Sequence, residues 1–77
     1  MTAFGSKALH RLPLYLRVLR ELGRDGRSHA SGSVLAAALG LDPIVVRKDL
    51  ARTGVRGTPR VGFPIAELVD ALERLTG

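Results

Sequence analysis

The chain contains no cysteine, which excludes a disulfide framework and any thiolate metal site and fits a reducing compartment. It has no run of about 18 apolar residues, the length a helical membrane span requires. Its first residues, MTAFGSKALHRL, lack the long apolar centre of a secretory signal. The cytoplasm is therefore the expected location, with no membrane partner. Internal repeats and low-complexity tracts are missing too. His10 and His29 stand far apart with no carboxylate at partner spacing, and no nucleophile, base and orienting group can be assembled. Neither enzymatic activity nor a metal site is expected.

What remains is short and basic. Seventy-seven residues, 45% of them apolar, make one folded domain with a small core and modest stability. The net charge is +5, and its distribution says more than its total. Residues 7–27 carry six Lys or Arg against two acids, and residues 47–60 carry five against Asp49 alone. Residues 64–77 reverse the balance, with three acids against Arg74. One basic face meeting a polyanion, with an opposite face that does not, is the reading this asymmetry supports. The alternative is a surface decorated with arginine to no particular end.

Apolar periodicity predicts four helices. Over 6–23, Leu9, Leu12, Leu16, Leu19 and Leu22 recur at spacings of three and four beside Tyr15, with Ser6 as N-cap and Arg17, Arg20 and Arg24 on the polar side. Pro13 should kink that helix or loosen its bond to the Leu9 carbonyl; Gly23 and Gly26 should end it. Residues 24–32 read as a turn or short extended strand. Ser31 or Gly32 caps a helix at 33–39, which Gly40 ends in a left-handed conformation. Asp42 caps a third helix at about 43–53, with Pro43 at its first position. There Ile44, Val45 and Val46 begin an apolar face, while Arg47, Lys48 and Arg52 point elsewhere. Leu35, Leu39, Val46 and Leu50 are expected in the core. Ile65, Leu68, Val69, Leu72 and Leu75 make the stripe of a last helix at 65–76.

Between the third and fourth helices, Gly54, Gly57 and Gly62 break helical periodicity. Val55, Val61 and Phe63 can face the core, and Thr58 and Pro59 can form the tip of a two-stranded wing within 54–63. Two short helices joined by Gly40, Leu41 and Asp42, followed by such a ribbon and a further helix, predict a fold class that is mainly α with a small β-ribbon. This is a winged helix-turn-helix with an additional C-terminal helix. A three-helix bundle with a disordered loop is the rival.

The strings RLPLYLRVL at 11–19, LAAALGLDPIVVRKDL at 35–50 and GVRGTPRVGF at 54–63 resemble the N-terminal domain of the redox-sensing transcriptional repressor Rex family, over about residues 9–77. That resemblance implies a winged-helix DNA-binding domain occupying 1–77. In the family a Rossmann domain follows, binding NADH and NAD and carrying most of the homodimer contact. No GxGxxG occurs here, so this chain itself should bind no cofactor; NAD or NADH is expected only if such a domain follows in a longer protein. Three departures stand out. Arg52 and Thr53 replace an aromatic pair. Thr58, Pro59 and Arg60 replace a basic pair followed by glycine. Pro64 replaces an acidic N-cap, a loss of about 1 kcal/mol.

The expected partner is double-stranded DNA with a palindromic operator, since half-site symmetry mirrors protein symmetry. Arg47 and Lys48 are the candidate base readers. They lie one turn into the helix that should enter the major groove, where Arg or Lys bonds O6 and N7 of guanine; by resemblance these two positions read bases. Arg52 ends the same helix, and Asp49 is expected to hold Arg52 or a neighbouring cation rather than touch DNA. Arg56, Thr58 and Arg60 are the wing candidates, an arginine at a ribbon tip being suited to a narrow minor groove. Lys7, Arg11 and Arg17 are candidates for backbone contact. Ser31 and Ser33, at the second helix's N-terminus, could bind phosphate or serve only as caps. The alternatives are a winged-helix protein-interaction module and a binder of double-stranded RNA, whose hidden major-groove edges disfavour a recognition helix.

Overall fold

The computed structural model describes residues 5–76; the first four residues, part of the stretch read above for a secretory signal, and Gly77 lie outside that description. The elements follow the order α1 (Ser6–Arg24), β1 (His29–Ala30), α2 (Gly32–Leu39), α3 (Pro43–Ala51), β2 (Phe63–Pro64) and α4 (Ile65–Thr76). This is a winged helix with a fourth helix. α1 packs most extensively on α4, and α2 on α3. The core between them is aliphatic: Leu12, Leu19, Leu35, Val46, Leu50, Leu68 and Leu72 are fully buried around the single tyrosine, Tyr15.

Three helix ends form where the capping chemistry predicts. The Ser31 hydroxyl accepts the Val34 N–H at 3.1 Å, and Asp42 Oδ1 accepts the Ile44 N–H at 2.8 Å. Gly40 closes α2 at φ 66°, a conformation that costs an L-residue about 1–2 kcal/mol and glycine almost nothing.

Three helix ends differ from expectation. The N-cap of α1 is Gly5, not Ser6, because the Leu9 N–H closes on the Gly5 carbonyl at 3.0 Å and the helix begins one residue earlier. Gly23 lies within α1, which continues through Pro13 to Arg24. Gly26 provides the stop, at φ 88°, with the Arg27 N–H returning to the Leu22 carbonyl at 3.0 Å. α3 ends at Ala51 rather than near residue 53. The Thr53 hydroxyl donates to the Leu50 carbonyl at 2.5 Å and accepts the Val55 N–H at 3.2 Å, turning the chain out of the helix.

The wing also differs. Phe63–Pro64 pairs antiparallel with His29–Ala30, in the register His29 with Pro64 and Ala30 with Phe63. Within 54–63 there is one bridge, Thr58 with Gly62, around a tight turn. The ribbon's true partner is thus the strand before α2, because Gly62 brings its backbone against Ala30: a Cβ at Gly62 would stand 2.7 Å from the Ala30 carbonyl oxygen. Phe63 and Val55 pack against the core, but Val61 at the turn is 50% exposed. Leu9, Leu22, Leu39, Val69 and Leu75 lie at the core's edge, and Ala8 and Val18 enter it instead. Of the three apolar residues that begin α3, only Val46 is buried; Val45 is half-buried and Ile44 is 56% exposed.

Candidate nucleic-acid interface

The N-terminus of α2, the middle of α3 and the wing turn meet around an open cleft of about 540 Å3. It is lined by Ser31, Gly32, Ser33, Arg47 and residues 57–63, including Thr58 and Arg60. The stem of Arg47 lies close over Gly32, where a Cβ would come within 3.1 Å of its Cγ. The absence of a side chain at Gly32 is what lets the arginine cross the start of α2. Ser31 has its hydroxyl committed to the cap, whereas Ser33 is exposed. The first turn of α2, which lines the cleft, nevertheless leaves N–H groups without intrahelical acceptors.

The turn itself is shaped by Thr58, Pro59, Arg60 and Val61. The Thr58 carbonyl accepts N–H bonds from Val61 at 3.1 Å and Gly62 at 2.8 Å. Arg60 takes φ 69°, the sole positive φ of a non-glycine residue among those described. Proline followed by a positive φ is the type II turn pattern, in which the second position ordinarily falls to glycine or asparagine. Arg60 therefore carries its charge from a strained backbone at the cleft's rim.

Lys48 and Arg52 are exposed along α3. Arg56 is not brought to the cleft. It lines a separate groove of about 600 Å3 with Thr53, Glu67, Asp70 and Arg74, against the acidic face of α4. Lys7 and Arg17 are exposed on α1. At 3.6 residues per turn, Lys7 and Arg11 share a face, whereas Arg17 lies about 120° around the axis from Arg11.

Arg11 is committed elsewhere. Its Nε and Nη2 donate to the two oxygens of Asp49 at 2.7 and 3.0 Å, a bidentate pair, and the Tyr15 hydroxyl donates to the same carboxylate. Asp49 is 1% exposed, and Arg52 Nη1 approaches it at 3.9 Å. Asp49 thus holds a neighbouring cation as expected, but the principal one is Arg11 from another helix. Burial alone would raise the Asp49 carboxyl; the hydrogen bonds from Arg11 and Tyr15 and the charges of Arg11 and Arg52 outweigh it and hold the group below the ordinary carboxylate range. Burial and the bond to Asp49 push the Tyr15 phenol up, and the bond to Asp49 raises the Arg11 guanidinium further above its already high value. The network ties α3 to α1 from beneath and leaves Arg47 and Lys48 facing outward. Sequence reasoning missed Tyr15 as a polar partner. The available signal was an Arg–Tyr pair four residues apart on one face of α1, beside an apolar stripe.

Among the described residues no group of His, Cys, Asp and Glu could hold a metal ion, and no helix is long and apolar enough to cross a membrane.

Residues 6–51, which include Arg11, Tyr15 and Asp49 and both helices of the turn, match the family described as "Putative DNA-binding protein N-terminus". Relatives named redox-sensing transcriptional repressor Rex are similar over nearly the whole chain. The protein from Treponema denticola is 41% identical over 95% of this chain and 35% of its own length. That from Porphyromonas gingivalis is 39% identical over 99% of this chain and 35% of its own. That from Rubrobacter xylanophilus is 38% identical over 88% and 32%. The chain spans about a third of the length of these curated relatives.

Proposed function

The chain belongs to the N-terminal domain family of the redox-sensing transcriptional repressor Rex, and from that premise we propose that it is a sequence-specific DNA-binding domain whose α3 reads the major groove. The observation that carries the reading is the cleft in which the start of α2, Arg47 and the wing turn converge. The α2 N-terminus and Arg60 at the cleft's rim suit a phosphate, and the outer face of α3, with Arg47 and Lys48, suits base edges. Arg47 and Lys48 are the base readers in this reading. Arg60, with Thr58, reaches the minor groove or the adjoining backbone. Arg52, Ser33, Lys7 and Arg17 supply backbone contacts. Arg11 serves chiefly by holding α3 in place through Asp49, and Arg56 stands at the edge of the contact.

Within a longer protein two such domains would sit on a palindromic operator, with a nucleotide-binding domain supplying the dimer contact and the response to NADH and NAD. By itself one copy makes few contacts, and its affinity is expected near the non-specific range of about 10⁻⁴ to 10⁻⁶ M. Fluorescence anisotropy on a duplex panel tests the assignment of roles. Arg47→Ala and Lys48→Ala should erase discrimination at defined base pairs, each worth about 1–3 kcal/mol, while Arg60→Ala weakens all duplexes alike. Equal losses on every duplex for the α3 pair would refute base reading by these residues.

A further inference from the structure

We infer that Ile44 is a specificity-determining residue of the same interface, one whose side chain contacts the 5-methyl group of a thymine in the major groove. The inference rests on the DNA-binding reading above and adds an apolar element to it.

Ile44 is 56% exposed, although it opens what looks in the sequence like an apolar face. A single exposed isoleucine is ordinary on a protein surface. Its position sets this one apart. Ile44 follows Pro43, and its N–H is held by Asp42 Oδ1 at 2.8 Å, so the backbone that carries it is fixed at the start of α3. Arg47 and Lys48, both exposed, follow at three and four residues, and such neighbours share a helix face with Cβ atoms about 5–6 Å apart. Base pairs stack at about 3.4 Å. The three side chains therefore span about two base steps, and the N-terminal residues of a groove helix are those that reach base edges. Of the other exposed large apolar residues among those described, Leu14 lies on α1, Val34 on α2 and Val61 in the wing turn.

The chemistry selects one base. Thymine alone presents a methyl group in the major groove, beside its O4, whereas at guanine, adenine and cytosine an isoleucine would desolvate polar atoms with no methyl group to contact. A β-branched side chain has few χ1 rotamers to lose on contact. An isoleucine here also forgoes the better helix propensity of alanine while contributing little to the core.

The test uses this 77-residue chain on an array of duplexes covering all eight-base-pair sequences. The best-bound duplex is then resynthesised with each thymine replaced in turn by uracil, which exchanges only the methyl group for hydrogen. For the native chain one replacement should weaken binding about threefold to fourfold, the worth of one buried methyl. Ile44→Val should keep that difference. Ile44→Ala, a surface change expected to leave folding intact, should bind the thymine and uracil duplexes equally. A sequence preference without any methyl effect, or a methyl effect that survives in Ile44→Ala, overturns the inference and leaves the DNA reading standing. An array with no sequence preference overturns the sequence-specific reading proposed above, and this inference with it.

Discussion

Asp49 shows how much one buried charge can organise in a small domain. Its carboxylate takes two bonds from Arg11 and one from Tyr15, so no buried side-chain polar atom among the described residues is left without a partner. Removing it leaves a buried hydroxyl and a half-covered guanidinium uncompensated. Asp49→Ala should cost about 3 kcal/mol, read as a fall in the urea midpoint at unchanged slope. The pH dependence follows from the direction of the shift. The folded carboxyl titrates below its unfolded value of about 3.9, so its stabilisation is complete above that value and is lost as pH falls through the folded one. The gap between the native chain and Asp49→Asn should be constant near neutrality and shrink below about pH 4; a gap that stays constant down to pH 2 would contradict it. Sequence reasoning assigned Asp49 to a cation, but the three-way contact with Tyr15 and Arg11 needs two helices whose packing no local pattern specifies.

At the scale of elements, the caps of α2 and the opening cap of α3 were legible, as was the wing's turn, and the wing's strand partner was not. Ser31, Gly40, Asp42 and Pro43 act on backbone groups within a few residues of themselves, so their roles follow from local chemistry. Strand pairing is different. Residues 63–64 pair with 29–30, a partner more than thirty positions away. The sequence marked 24–32 as a possible strand without showing what it would join. The turn's strain was equally hidden. Arg60 stands where the family resemblance places glycine and adopts φ 69°. Arg60→Gly should therefore raise stability by about 1 kcal/mol by relieving a left-handed conformation in a non-glycine residue, while weakening DNA binding through loss of the cation. Thermal unfolding and anisotropy on the same sample separate the two effects. A lower melting temperature would contradict the strain assignment.

Across the whole molecule the charge asymmetry becomes spatial. The cleft beside α3 is lined by arginines and no acids, and the groove beside α4 holds Glu67 and Asp70. Elsewhere on α4, Glu73 bonds Arg20 of α1 at 2.7 Å, an exposed pair of little energetic consequence. Binding to duplex DNA should then fall linearly in log affinity with log salt concentration, with a slope of about −0.9 per neutralised phosphate. Arg60→Ala should reduce the slope by about one unit, and Glu67→Gln should leave it nearly unchanged. A slope indifferent to Arg60 would remove the wing from the phosphate contacts.

The sequence by itself determined the four helices, the caps that open α2 and α3 and close α2, most of the aliphatic core and the family, because each is written in periodicities and short motifs that act over a few residues. Only the tertiary structure decided which cations stand free and which are bound. Arg11, Arg47 and Arg56 are chemically alike in the sequence, yet one is clamped by Asp49, one crosses Gly32 into the cleft and one faces the acids of α4. The same packing buried Val46 and left Ile44 in solvent. Electrostatic and apolar contacts between distant segments depend on distances of a few ångströms, and those distances exist only once the helices have docked.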